Sequence, residues 1–188
     1  VKPISLGMER ELRYQRWVKN CRELTAQLSN GIVGYVHVRG MNDRSFRTVY
    51  DEVLGKNAQK EALIVDTRFN GGGWLHDDLA TFLNGTSYLT FMPRGQDLGE
   101  EPQFKWRRES VVLMSESNYS DAHMFPFVYK QLVLGIPQVG MLGRDGQYLE
   151  NTQLEPDIKV NNDPNVVSKG RDQQIEAAVE ELMKSIRP

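Results

Sequence analysis

The chain has 188 residues, 39% hydrophobic and 26% charged, with a formal net charge of −2. That length supports one domain with a sizeable core, and the charge balance excludes an electrostatic case for nucleic acid or an anionic membrane. No apolar run approaches the roughly 20 residues that span a bilayer, and the single cysteine, Cys21, excludes an internal disulfide and a cysteine-rich zinc site.

Val1 to Gly7 is short, apolar and extended in character. The chain opens on valine without a signal-peptide pattern, so it is expected to be a piece of a longer polypeptide, and the compartment, cytoplasmic or exported, stays open. From Met8, residues Tyr14, Trp17, Val18, Cys21, Leu24, Thr25 and Leu28 recur at helical spacing, and Asn30-Gly31 predicts the stop. Ile32 to Val38 reads as a buried strand. Phe46, Val49, Tyr50, Val53 and Leu54 line a short helix expected to close at Gly55. Ala62 to Asp66 is the next strand, followed by the turn Thr67-Arg68-Phe69-Asn70-Gly71-Gly72-Gly73-Trp74. Leu75, Leu79, Phe82 and Leu83 then predict a helix ending at Asn84-Gly85. Tyr88 to Phe91 suits a strand and Met92 to Pro102 a surface loop. Val111 to Met114 predicts a strand buried on both faces. It breaks at the turn-forming cluster Ser115 to Tyr119, and a helix follows through Val133. Beyond a turn at Asp145-Gly146, Glu155 to Val160 is expected to be an edge strand. A last amphipathic helix carries Ile175, Ala178, Val179, Leu182, Met183 and Ile186. Strands alternating with helices predict an α/β domain.

Two strand-to-helix junctions carry the chemistry. Ser120 suits an N-cap, with Asp121 in a first turn where negative charge complements the helix dipole. A serine at such a junction is also how a nucleophile is presented, with unpaired N–H groups aimed at a developing oxyanion. Gly71-Gly72-Gly73 leaves backbone N–H groups unhindered for a ligand oxygen, or simply serves a loop that needs positive φ. The run lacks a following Lys-Ser/Thr and has no G-x-G-x-x-G spacing, so nucleotide motifs fail. The residues alone leave both pairs of readings open.

Taken together, Asp66 to Gly73, Asn118-Tyr119-Ser120-Asp121, and Tyr148-Leu149-Glu150-Asn151 with Glu155-Pro156-Asp157 resemble the core of the tail-specific and tricorn-type serine peptidases. The tricorn-type branch is the nearer. The motifs occur in that family's order, and the resemblance runs from about Arg13 to Leu182. It implies a Clp protease/crotonase-like fold of stacked ββα units with an N-terminal helical arm. Residues 1–7 would then be the remnant of a PDZ-like domain, 8–30 a helical connector and 31–188 the peptidase core. The implied activity is a serine endopeptidase acting on peptides or unfolded protein, with no cofactor and no metal. Homo-oligomerisation is open. Carried over by residue, Ser120 matches the nucleophile and the N–H groups of Gly73 and Asp121 match the oxyanion hole. Glu150 matches the acid that orients the catalytic histidine through an intervening serine.

The family's histidine, preceded by serine, lies before the PDZ-like domain and has no counterpart in these residues. Of the three histidines present, His37 is expected in the core and His76 on the surface of a first turn. His123 is the rival base, three residues after Ser120 on the same helix face. Lys130, about 15 Å up the helix axis at 1.5 Å per residue, cannot serve Ser120 as a dyad lysine. The family has a longer stretch where Lys130 runs into Val133, which predicts a gap or deletion there. The acid that gives archaeal members their preference for basic residues has no counterpart in Tyr88 to Phe91. Two alternatives share the fold: a non-catalytic ligand-binding module, and a crotonase-type acyl-CoA enzyme.

Overall fold

Ala62-Leu63-Ile64-Val65 offers no polar face, and all five residues of the strand they begin, Ala62–Asp66, are buried. In the computed structural model, which describes residues 3–84, 86–131 and 155–186, this strand lies at the centre of a three-stranded sheet. In chain order the elements are α1 (Leu6–Leu28), β1 (Val33–His37), α2 (Asp43–Asp51), β2 (Ala62–Asp66) and α3 (His76–Asn84). A hairpin of β3 (Leu89–Thr90) and β4 (Glu100–Glu101) precedes β5 (Glu109–Leu113), α4 (Asp121–Gln131), α5 (Pro164–Val167) and α6 (Gln173–Ile186). β1 and β5 both run parallel to β2, in registers from Val33↔Ala62 and from Ala62↔Glu109. Parallel neighbours need crossovers: α2 lies between β1 and β2, and α3 with the β3–β4 hairpin lies between β2 and β5.

Strand alternation sorts the core into two layers. Val33, Tyr35, Ala62 and Ile64 point one way, against Cys21 of α1 and Ile175, Ala178, Val179 and Leu182 of α6. Val36, Leu63 and Val65 point the other way, against Val49, Leu79, Phe82, Ala122 and Phe125 of α2, α3 and α4. Burial pushes the Cys21 thiol up to about 11, so it remains protonated at neutral pH.

Asp66 and Arg68 join the α1/α6 layer in a buried polar knot. Arg68 Nη2 lies 2.6 Å from Asp66 Oδ2 and Nη1 lies 2.8 Å from Asp172 Oδ2, while the Tyr35 hydroxyl donates to Asp66 Oδ2 at 2.7 Å. Burial disfavours the guanidinium charge, but these carboxylates more than offset it and hold the Arg68 pKa above its ordinary value. Asp66→Ala would strand that buried charge, so we expect a loss of about 3–5 kcal/mol in urea unfolding. A loss below 1 kcal/mol would show that Asp172 alone suffices.

Several sequence expectations change. The first helix starts at Leu6, capped by the Ser5 hydroxyl, which accepts from Met8 N at 3.2 Å. The second half of this N-terminal helical arm packs into the core: Cys21 and Thr25 are buried, and Arg22 Nη2 pairs with Glu52 Oε1 at 2.9 Å. Gly55 does not stop the second helix but lies within a π-helical turn, Glu52–Lys56. Leu113 and its β5 neighbours are half-buried, because β5 has β2 on one side only among the described strands. Glu155 to Val160 forms no strand; instead Gln174 Nε2 donates to Val160 O at 3.0 Å and helps anchor the segment to α6. The gap or deletion expected between Lys130 and Val133 cannot be placed against α4, which reaches Gln131, because the rest of that junction lies outside the described residues.

Candidate active site

The turns that follow β2 and β5 leave the same end of the sheet, the carboxyl end where ligands bind in open α/β sheets. Two asparagines tie these turns together. Asn70 Nδ2 donates to Val38 O at 2.8 Å, its Oδ1 accepts from Gly72 N at 2.9 Å, and its carbonyl accepts from Tyr119 N at 3.2 Å. Asn118 Nδ2 donates to Thr67 Oγ1 at 2.8 Å and to Ala122 O at 3.2 Å. Both asparagines are buried, so leaving these amides unpaired would be costly.

Ser120 is exposed and sits at φ +54° immediately before α4. A left-handed non-glycine residue costs about 1–3 kcal/mol and persists only where its surroundings impose it. An ordinary capping serine has extended backbone, so this one is not held as a simple cap. The constraint comes from Gly72, at φ +95°, whose absent Cβ would lie 2.7 Å from Tyr119 O, 2.8 Å from Ser120 Cβ and 3.3 Å from Asp121 N. Gly73, at φ +145°, is pressed against Met41, whose carbonyl oxygen would lie 1.9 Å from a Cβ there. Met41 N donates to Gly72 O at 3.1 Å and Trp74 N to Met41 O at 2.8 Å. The N–H groups of Gly73 and Asp121 have no acceptor among the described residues.

The Asp121 side chain, 1% exposed, turns away from solvent toward the start of α3. Its Oδ2 accepts from Leu75 N at 2.6 Å and from His76 N at 3.1 Å, while Oδ1 takes a short hydrogen bond with His76 Nδ1. That bond raises the His76 pKa despite opposing burial, and the nearby Asp121, Asp77 and Asp78 charges add to the effect. The expected surface position for His76 is thus replaced by a buried one, 7% exposed, facing a carboxylate 45 residues away in sequence.

His37 is a core residue. Its Nδ1 lies 2.9 Å from the Tyr14 hydroxyl and its Nε2 lies 3.1 Å from Arg68 O, and burial lowers its pKa. His123 is half-buried in the first turn of α4, with its N–H donating to Ser120 O at 2.9 Å. Glu150 lies outside the described residues. Trp74 and Tyr119, each next to a site residue, are 77% and 74% exposed. Sequence reasoning missed the His76–Asp121 pair and the roles of Asn70, Asn118 and Met41. The asparagines stood within recognised motifs, but no local pattern signalled His76 or Met41.

Residues 32–141 match the family model of peptidase family S41, more than half of the chain. The tricorn protease of Thermoplasma acidophilum is 26% identical over 210 aligned positions, covering 97% of this chain and 20% of that protein. A putative tricorn-like protease C-terminal subunit from Sulfurisphaera tokodaii is 28% identical, with 95% of this chain and 24% of the relative covered. The crystal structure of the tricorn protease superposes with a TM-score of 0.77 at 25% identity, over 95% of this chain and 20% of that one. The chain therefore spans about a fifth to a quarter of the length of these relatives. A parallel sheet between helical layers, with a strained serine and a glycine turn in contact at its carboxyl end, agrees with that match: the chain belongs to peptidase family S41, in its tricorn-type branch.

Proposed function

We propose that these residues form the catalytic domain of a serine endopeptidase that cleaves peptides through an acyl-enzyme on Ser120. The observation that carries this reading is the contact between Gly72 and the Ser120–Asp121 backbone, with the next N–H on each side, Gly73 and Asp121, unpaired among the described residues. In the proposed step, a base takes the Ser120 proton as Oγ attacks the scissile carbonyl. The oxyanion forms against the two N–H groups, and the amine leaves with the proton. Water then attacks the ester by the same route and regenerates Ser120. Two N–H donors from different turns make a rigid receptor for that charge, and losing one typically costs about 2.7–4 kcal/mol of barrier.

The base in this reading is the histidine of a Ser-His pair preceding a PDZ-like domain, oriented through the serine by Glu150. Two observations support placing it elsewhere than on His37 or His76. His37 uses both ring nitrogens within the core, and His76 commits Nδ1 to Asp121. A non-catalytic module or an acyl-CoA enzyme has no evident use for a strained, exposed serine here.

The test is covalent labelling of the natural full-length protein with a peptidyl fluorophosphonate, which forms an Oγ–P bond and releases fluoride. Modification located by peptide mass spectrometry on Ser120, and absent in Ser120→Ala, is the expected result. Labelling at another serine, or none, would overturn the assignment.

A further inference from the structure

Resting on the reading of Ser120 as nucleophile, we propose that His76 is a positioning residue for hydrolysis, holding the Asp121 carboxylate and thereby the Asp121 N–H in the oxyanion-binding arrangement. Asp121 has two parts with different tasks. Its N–H has no acceptor among the described residues and lies beside Gly72, while its buried side chain reaches the start of α3. There Oδ2 accepts from the N–H groups of Leu75 and His76, and Oδ1 bonds His76 Nδ1. Leu75 and His76 follow the glycine turn, so one carboxylate binds the element carrying Gly73 to the element carrying Ser120.

A helix start usually leaves its first N–H groups to a local capping side chain. Here α3 takes its acceptor from the first residue of another helix, which couples the two turns geometrically. The backbone bonds alone would hold the carboxylate by one oxygen. The imidazole engages the second oxygen and fixes rotation about the side chain, which limits how the Asp121 backbone sits relative to Gly73. The Trp74 ring, its centroid 5.6 Å from that of His76 and nearly perpendicular, closes one side of the imidazole. Oxyanion donors act through placement, and a displacement of about 1 Å can cost about 10²-fold in rate.

The experiment compares His76→Leu and His76→Asn with the natural full-length protein in peptide hydrolysis. It also measures inhibition by a peptide boronate, which forms a tetrahedral adduct on a nucleophilic serine. His76→Leu removes the donor. His76→Asn keeps an N–H donor near the Nδ1 position. We expect His76→Leu to lower kcat about 10–100-fold with KM within about twofold, and to weaken the boronate by a similar factor. His76→Asn should recover most of both losses. A merely structural histidine would lower the active fraction, measured by fluorophosphonate titration, and leave kcat per active site and boronate affinity unchanged. That outcome overturns the proposal, as does an asparagine variant no better than leucine while both remain folded by circular dichroism. If Ser120→Ala in parallel leaves hydrolysis intact, the nucleophile assignment has failed instead. Loss in Ser120→Ala with an unchanged His76→Leu rejects the positioning role alone.

Discussion

Ser120→Ala in the natural full-length protein is expected to reduce kcat for peptide hydrolysis by about 10⁶-fold, the scale seen when a serine protease loses its nucleophile. Folding stability should change by less than about 0.5 kcal/mol, because Ser120 is exposed. Those two measurements together separate chemistry from structure. A residual acceleration of about 10³–10⁴ over water is what an intact oxyanion hole and binding groove retain. The same logic predicts that the 188 residues by themselves fold but hydrolyse peptides poorly, since the proposed base is not among them. His123 supplies the competing outcome. Strong hydrolysis by the isolated 188 residues that disappears in His123→Ala would make His123 the base.

Gly73→Ala is expected to be damaging by a different route and to a smaller degree, and Gly71→Ala nearly silent. At Gly73 a methyl group would lie 1.9 Å from the Met41 carbonyl oxygen, and φ +145° is a conformation that L side chains rarely adopt. The turn must shift to relieve both, and it carries one proposed oxyanion donor. A loss of kcat of about 10²–10³ follows if that donor is displaced. At Gly71 a methyl group meets nothing within 4 Å, so Gly71→Ala should hold kcat and KM within about twofold of the parent. Parallel steady-state kinetics on the two variants decide the matter. Equal effects at both positions would mean that the run acts through flexibility rather than through the contact with Met41.

Strand periodicity located β1 and β2 in sequence to within a residue, because a strand covered on both faces leaves no polar position to blur its limits, whereas half-buried β5 begins two residues before its apolar run, at Glu109. The helix spacing of Cys21 and Thr25, and of Ile175, Val179 and Leu182, likewise follows from which side each element buries, although Leu28, in the same spacing, is exposed. The motifs around Gly73 and Ser120 were legible because both depend on short-range backbone chemistry. Glu155 to Val160 was misread as a strand, since a short apolar alternation has no ladder partner until the sheet is assembled.

Tertiary structure alone decided three matters. It distinguished Gly72 and Gly73 from Gly71, because their need for hydrogen in place of Cβ arises from Tyr119, Ser120 and Met41, which are distant in sequence. It gave Ser120 positive φ, which depends on Gly72 occupying the space behind the elbow rather than on any propensity of serine. It also joined His76 to Asp121 across 45 residues. That pairing requires α3 and α4 to start at the same end of a parallel sheet. The sequence by itself determines the two helices; only the packed sheet, by setting both N-termini side by side, determines that one caps the other.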